Sequence, residues 1–189
     1  PDAARFLDIM VTADILGMPV GRARYTFICN ETGGIIDDTI VYRLAEERFM
    51  VIPNASNTKD VLLWFDRWIG PYGNGVTLEV ITDHTALIAI QGPLAAGILQ
   101  DLCQFDVITI KPFNCMEETV YGIPSLICRT GYTGEDGFEI ITPVEHADTI
   151  WSKLLEGGAI PCGLGAGMFS VWKLACCCMD LIWMLRKLH

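Results

Sequence analysis

Residues 128–142, CRTGYTGEDGFEIIT, restrict the folding of this chain more than any other stretch. Gly131, Gly134 and Gly137 recur every third residue, which suits a backbone that turns tightly or approaches a neighbour closely. After Gly137 the pattern switches to period two, with Phe138 and Ile140 on one face and Glu139 and Ile141 on the other. A loop that feeds straight into a strand thus carries Glu139 onto a face expected to be buried. A buried carboxylate is costly without a matching donor. Glu139 is therefore either a structural carboxylate, paired with an arginine or with loop amides, or part of a ligand site.

A second carboxylate pair lies on a hairpin. RARYTFIC (22–29) reads as a strand, NETGG (30–34) as a turn, and IIDDTIVYRL (35–44) as the returning strand. Period two groups Asp38 with Ile36, Ile40 and Tyr42, and Asp37 with Ile35, Thr39, Val41 and Arg43. The Asp38 face is the more apolar, so the expectation is that Asp38 points inward and is paired or functional, while Asp37 has Arg43 as an ordinary partner. Burial raises a carboxyl pKa. Two carboxylates on inward faces suit a ligand edge that offers donors, such as an amino or guanidine-like group.

The remaining elements alternate strands with helices. Residues 2–10 form a helix with Phe6, Ile9 and Met10 as its apolar stripe, and 48–53 a third strand. Asn57 can cap a helix over 58–69 that Gly70 stops. Strands at 76–81 and 85–90 precede a helix at 93–102 with Pro93 in its first turn. CMEETVYG and SLICR make two strands around Gly122-Ile123-Pro124, and a helix over 144–156 follows the central loop and its strand. Hairpin-linked strands with interspersed helices define an α+β fold with a large, mostly antiparallel sheet.

Bulk properties exclude several function classes. A net charge of −10 without a basic run argues against a nucleic-acid partner. Eight cysteines form no CxxC pair and no metal spacing with the three histidines, so no metal is expected. Scattered single thiols suit a reducing compartment. The best membrane-span candidate, 168–185, carries Lys173 and Asp180, so no membrane association is expected. GLGAGM (163–168) imitates part of a dinucleotide fingerprint but follows a helix and a proline, so it is rejected. Cys162 reads as a small core residue.

Taken together, GRARYTFICNETGGIIDDTIVYRL, NASNTKD, ALIAIQGP, RTGYTGEDGFEI and IPCGLGA resemble the aminomethyltransferase family, the T-protein of the glycine cleavage system, from Pro1 to Ala166. The resemblance implies a partial folate-binding domain, incomplete at both ends. It implies transfer of a methylene unit from an aminomethyl group on the lipoyl arm of H-protein to tetrahydrofolate, with release of ammonia. The second aspartate of the family's IDD motif, its critical carboxylate near the folate N10, matches Asp38. The glutamate that grips the pterin matches Glu139, whose two oxygens can accept from the pterin N3–H and 2-amino group. Asn54 and Tyr132 fall on positions lining the same cavity. Family relatives that act as folate-dependent demethylases, as folate domains of dehydrogenases, or as non-catalytic folate-binding regulators are alternatives. The compartment is the cytoplasm for a bacterial protein and the mitochondrial matrix for a eukaryotic one.

After Ala166 the resemblance stops. The family continues ARDxxRxEA then LYG, and its first arginine contacts the folate, whereas Gly167 opens GMFSVWKLACCCMDLIWMLRKLH here. Restoring one A after the Ala166 codon turns permitted codons into ARDVFRMEACMLLYGLDLDAQKTS. The Trp172-Lys173 codons force the new glutamate and the Met179-Asp180 codons the new glycine, both where the family has them. Residues 167–189 are thus read as an aberrant, frameshifted tail. Without the family's arginine and further segments, open sheet edges favour aggregation, and the chain alone is expected to show little aminomethyl transfer.

Overall fold

A computed structural model describes residues 2–163 in full and the backbone of 181–185. The described chain divides into two compact units, residues 2–80 and residues 81 onward. The fold is α+β as expected, with a large six-stranded, mostly antiparallel sheet and a separate three-stranded one.

In the first unit, α1 (Asp2–Met10) buries Ala4, Phe6, Leu7 and Met10. Leu7 takes the place expected for Ile9, which is 59% exposed. Strands β1 (Ala23–Cys29), β2 (Ile35–Ala45) and β3 (Arg48–Ile52) form a meander with β2 in the middle. The β1–β2 turn holds because the Asn30 side-chain oxygen accepts from Thr32 N at 3.0 Å and Gly34 N at 2.8 Å. Gly33 supplies the left-handed backbone at φ 83°. Helix α2 (Thr58–Tyr72) runs past Gly70 and Pro71, longer than expected. Pro71 lies inside the last turn, two residues before the helix stops. The stop is Gly73, whose amide donates to Ile69 O at 2.7 Å and where a Cβ would lie 2.7 Å from that same oxygen. Phe6, Met10, Val61 and Phe65 pack with Ile28 and Val41 of the sheet, and the Phe6 and Phe65 rings meet edge-on at 5.9 Å. The strand expected at 76–81 does not form.

In the second unit, the sheet order is β5 (Cys115–Val120), β6 (Ile123–Cys128), β7 (Gly137–Pro143), β4 (Thr85–Gln91), β9 (Leu181–Leu185) and β8 (Ile160–Pro161). All neighbours are antiparallel except β8 and β9. Helix α3 (Ala95–Gln100) is shorter than the expected 93–102, with Leu94 exposed before it. A 3₁₀ turn at Val144–His146 precedes α4 (Ala147–Glu156). One sheet face, with Ile88, Ile90, Ile127, Phe138 and Ile140, packs against Leu99, Ile150 and Leu154 of these helices. Residues 164–168 of the GLGAGM string, and the tail apart from the backbone of β9, lie outside the described residues.

Candidate functional site

The hairpin carboxylates face opposite ways, as period two requires, but the expected assignment is inverted. Asp37 is 1% exposed, whereas Asp38 lies on the open face of the sheet. Register explains the inversion. Asp37 lies opposite Ile28, and Thr39 opposite Thr26, so they share the face that α1 and α2 cover through Ile28 and Val41. The partner expected for Asp37, Arg43, turns away to donate to Glu46 O at 2.8 Å.

Asp37 is instead satisfied by amides of the β3–α2 loop. Its Oδ2 accepts from Asn54 N at 2.9 Å, and its Oδ1 from Asn54 Nδ2 at 2.9 Å and Asn57 Nδ2 at 2.6 Å. Asn57 stands at the start of α2, but its side chain makes no cap hydrogen bond; it serves Asp37. The Asn54 amide also reaches Asp38, donating toward its carbonyl at 2.9 Å and its Oδ1 at 3.1 Å. The Tyr25 hydroxyl donates to Asp38 Oδ2 at 2.8 Å. That hydrogen bond, then partial burial and the charges of Asp38 and Asp37, push the Tyr25 phenol above its ordinary pKa. Asp38 is thus an exposed carboxylate held in one orientation by a neutral donor on each oxygen. Beside it the Tyr25 and Phe27 rings meet edge to face, with centroids 5.4 Å apart. Such a surface can take a flat ring and direct one carboxylate at an amine.

The second unit holds the other two expected residues together. Glu139 is half-buried on β7 and accepts a short hydrogen bond from Thr130 Oγ1. Tyr132, 47% exposed, has its phenol pKa raised by burial and then by the Glu139 charge. Glu139 therefore meets a hydroxyl of its own loop. The loop is anchored from below by Gln91, 1% exposed: its Nε2 donates to Thr130 O at 3.1 Å and Phe138 O at 3.3 Å, and its Oε1 accepts from Thr133 Oγ1 at 3.0 Å. The repeated glycines follow from this. A Cβ on Gly131 would lie 2.1 Å from Gln91 Oε1, and one on Gly137 2.5 Å from Ile90 O. Arg129 closes the loop with two bonds to Asp136, at 2.9 and 2.6 Å, and a third to Ile110 O at 2.9 Å. Among the described residues no group of three or more potential metal ligands occurs.

The sequence reading missed Tyr25, Asn57, Thr130 and Gln91. Tyr25 was accessible in principle: a tight turn at 30–34 sets the hairpin register and puts residue 25 diagonally across from residue 38. Gln91 carried a weaker signal, a polar residue ending an apolar strand just before Gly-Pro.

The fold is α+β, with an orientated carboxylate, Asp38, in the first unit and a half-buried one, Glu139, in the second. The model of the GCVT N-terminal domain matches residues 1–170, and the chain belongs to that family. Similar relatives include aminomethyltransferases of Streptomyces avermitilis, 45% identical over 168 residues, and of Bacillus subtilis, 40% identical over 170. Each alignment covers 87% of this chain and 45% or 46% of the relative, so the chain spans about half the length of the relatives it matches. The glycine cleavage system aminomethyltransferase T of Bartonella henselae superposes with a TM-score of 0.69 at 34% identity, over 82% of this chain and 41% of that one. A heterotetrameric sarcosine oxidase from a Corynebacterium species shares the fold alone, with a TM-score of 0.61 at 15% identity over 95% of this chain and 77% of the other.

Proposed function

We propose that this chain is the folate-binding part of a glycine cleavage T-protein, which transfers a methylene unit from the aminomethyl-lipoyl arm of H-protein to tetrahydrofolate and releases ammonia. The observation that carries the reading is Asp38, an exposed carboxylate pinned by Tyr25 and Asn54. A protein that only needed a folded hairpin would gain little from orienting a solvent-facing charge. In this reading Asp38 directs and electrostatically supports the folate amine that attacks the aminomethyl carbon. Glu139 accepts the paired N–H groups of the pterin, Tyr132 stands beside it, and Asn54 holds Asp38. The tail beyond Ala166 is frameshifted, and a template with no missing base near codon 167 would overturn that part.

Calorimetric titration of tetrahydrofolate tests the binding roles on this chain directly. Saturable binding, weakened more by Glu139→Ala than by Asp38→Ala, is the expected result. Binding unchanged by both substitutions in folded variants would overturn the roles.

A further inference from the structure

Three residues form a row across three strands: Cys115 on β5 lies opposite Cys128 on β6, and Cys128 opposite Glu139 on β7. Directly opposed residues of antiparallel strands point to the same face. The two thiols and the carboxylate therefore share the sheet side opposite the helices. One step along, the Arg129 amide donates to Asn114 O at 2.8 Å. Ladder bonds alternate, so Cys115 and Cys128 occupy a non-hydrogen-bonded pair, the closer kind, with Cα atoms about 4.5 Å apart. Disulfides accept Cα separations of roughly 4.4–6.8 Å. Cys128 is fully buried, while Cys115 is 8% exposed on β5, the edge of its sheet. Neither cysteine is in a disulfide.

We propose that Cys115 and Cys128 are a redox-sensitive dithiol, closing to a disulfide between β5 and β6 beside Glu139 when the chain meets a hydroperoxide. The Cys115 thiolate attacks one peroxide oxygen, the O–O bond breaks, and a sulfenic acid forms as hydroxide or alkoxide leaves. The Cys128 sulfur then attacks the sulfenic sulfur; the S–O bond breaks, and water leaves with the Cys128 proton. Two electrons pass from the thiol pair to the peroxide, and a dithiol reductant returns them. The hydrogen bond from Cys128 lowers the Cys115 pKa, against burial and the Glu117 charge, which favours the reactive thiolate. Cys103, by contrast, is pushed up to about 11 by burial and the Glu118 charge.

The test needs no ligand and so is independent of the folate reading. The reduced chain is treated with a small excess of hydrogen peroxide, its remaining thiols are alkylated under denaturing conditions, and its peptides are mapped by mass. The expected result is a Cys115–Cys128 cross-linked peptide lighter by two hydrogen atoms, reversed by dithiothreitol. Cys103→Ser should retain the cross-link, and Cys115→Ser should lose it while leaving Cys128 alkylated. Oxidation of other cysteines with Cys115 and Cys128 still alkylated would overturn the proposal. So would either thiol pairing with a different partner. Mapping of the unsubstituted chain decides the matter even where a variant fails to fold.

Discussion

Asp37 and Asn54 are joined twice: both the backbone amide and the side-chain amide of Asn54 donate to the buried Asp37 carboxylate, each at 2.9 Å. The same side chain continues to Asp38, so a buried charge that touches no solvent sets the position of the group holding the exposed one. Asp37→Ala would strand the Asn54 and Asn57 donors, at a cost of about 2–3 kcal/mol. The expected result is a lower urea midpoint together with weaker tetrahydrofolate binding. Asp38→Ala, on the open face, should weaken binding with little change in the midpoint. Equal midpoints for the two variants would contradict the division of roles.

The Tyr25–Asp38 pair has a spectroscopic readout. A phenolate forming beside a carboxylate loses a hydrogen bond and gains repulsion, so Tyr25 titrates above its ordinary 10.0. Difference absorbance between the parent chain and Tyr25→Phe isolates this phenol. In an Asp38→Asn background its midpoint should fall back toward the ordinary value. An unmoved midpoint would mean the hydrogen bond does not persist in solution.

Arg129 and Asp136 close the glycine loop, and the pair makes an acid-dependent contribution. The Arg129 hydrogen bond, helped by its charge and the Gly137 amide, holds the Asp136 carboxyl below its ordinary 3.8, against burial. A carboxyl with a depressed folded pKa contributes stability that is present above the unfolded value and lost as pH falls through the folded one. The urea-midpoint gap between the parent chain and Asp136→Asn should therefore be constant at neutral pH. It should narrow below pH about 4. Because the Asp136 side chain is 48% exposed, solvent screening keeps the gap small.

Two glycines should respond oppositely to alanine. Gly137→Ala drives a Cβ into the backbone oxygen of Ile90 at 2.5 Å, so the β4–β7 pairing must shift and the melting temperature should drop sharply. Gly97, inside α3, has open space around its missing Cβ. Gly97→Ala should stabilise by about 0.5–1 kcal/mol through the unfolded state. Thermal melts of both variants against the parent check the pair.

Much of the architecture was legible in the sequence. The turn chemistry of NETGG set the hairpin, and period two placed Phe138 and Glu139 on opposite faces of β7. Helix lengths were less legible: α2 runs on through Gly70 and Pro71 and stops at Gly73, where a Cβ would collide with the Ile69 carbonyl of the preceding turn. Residues 76–81 alternate like a strand yet pair with nothing among the described residues, since alternation describes a chain's readiness to pair and not the presence of a neighbour.

The hairpin carboxylates mark where sequence alone stops. Local geometry determines that Asp37 and Asp38 point apart, because the side-chain period of a strand is two. Which one turns inward depends on partners distant in sequence. Helices α1 and α2 cover the face of Ile28 and Val41, and the loop at 54–57 brings three amide donors to Asp37. Those donors offset the cost of burying a charge that the apolar pattern of β2 assigned to its neighbour.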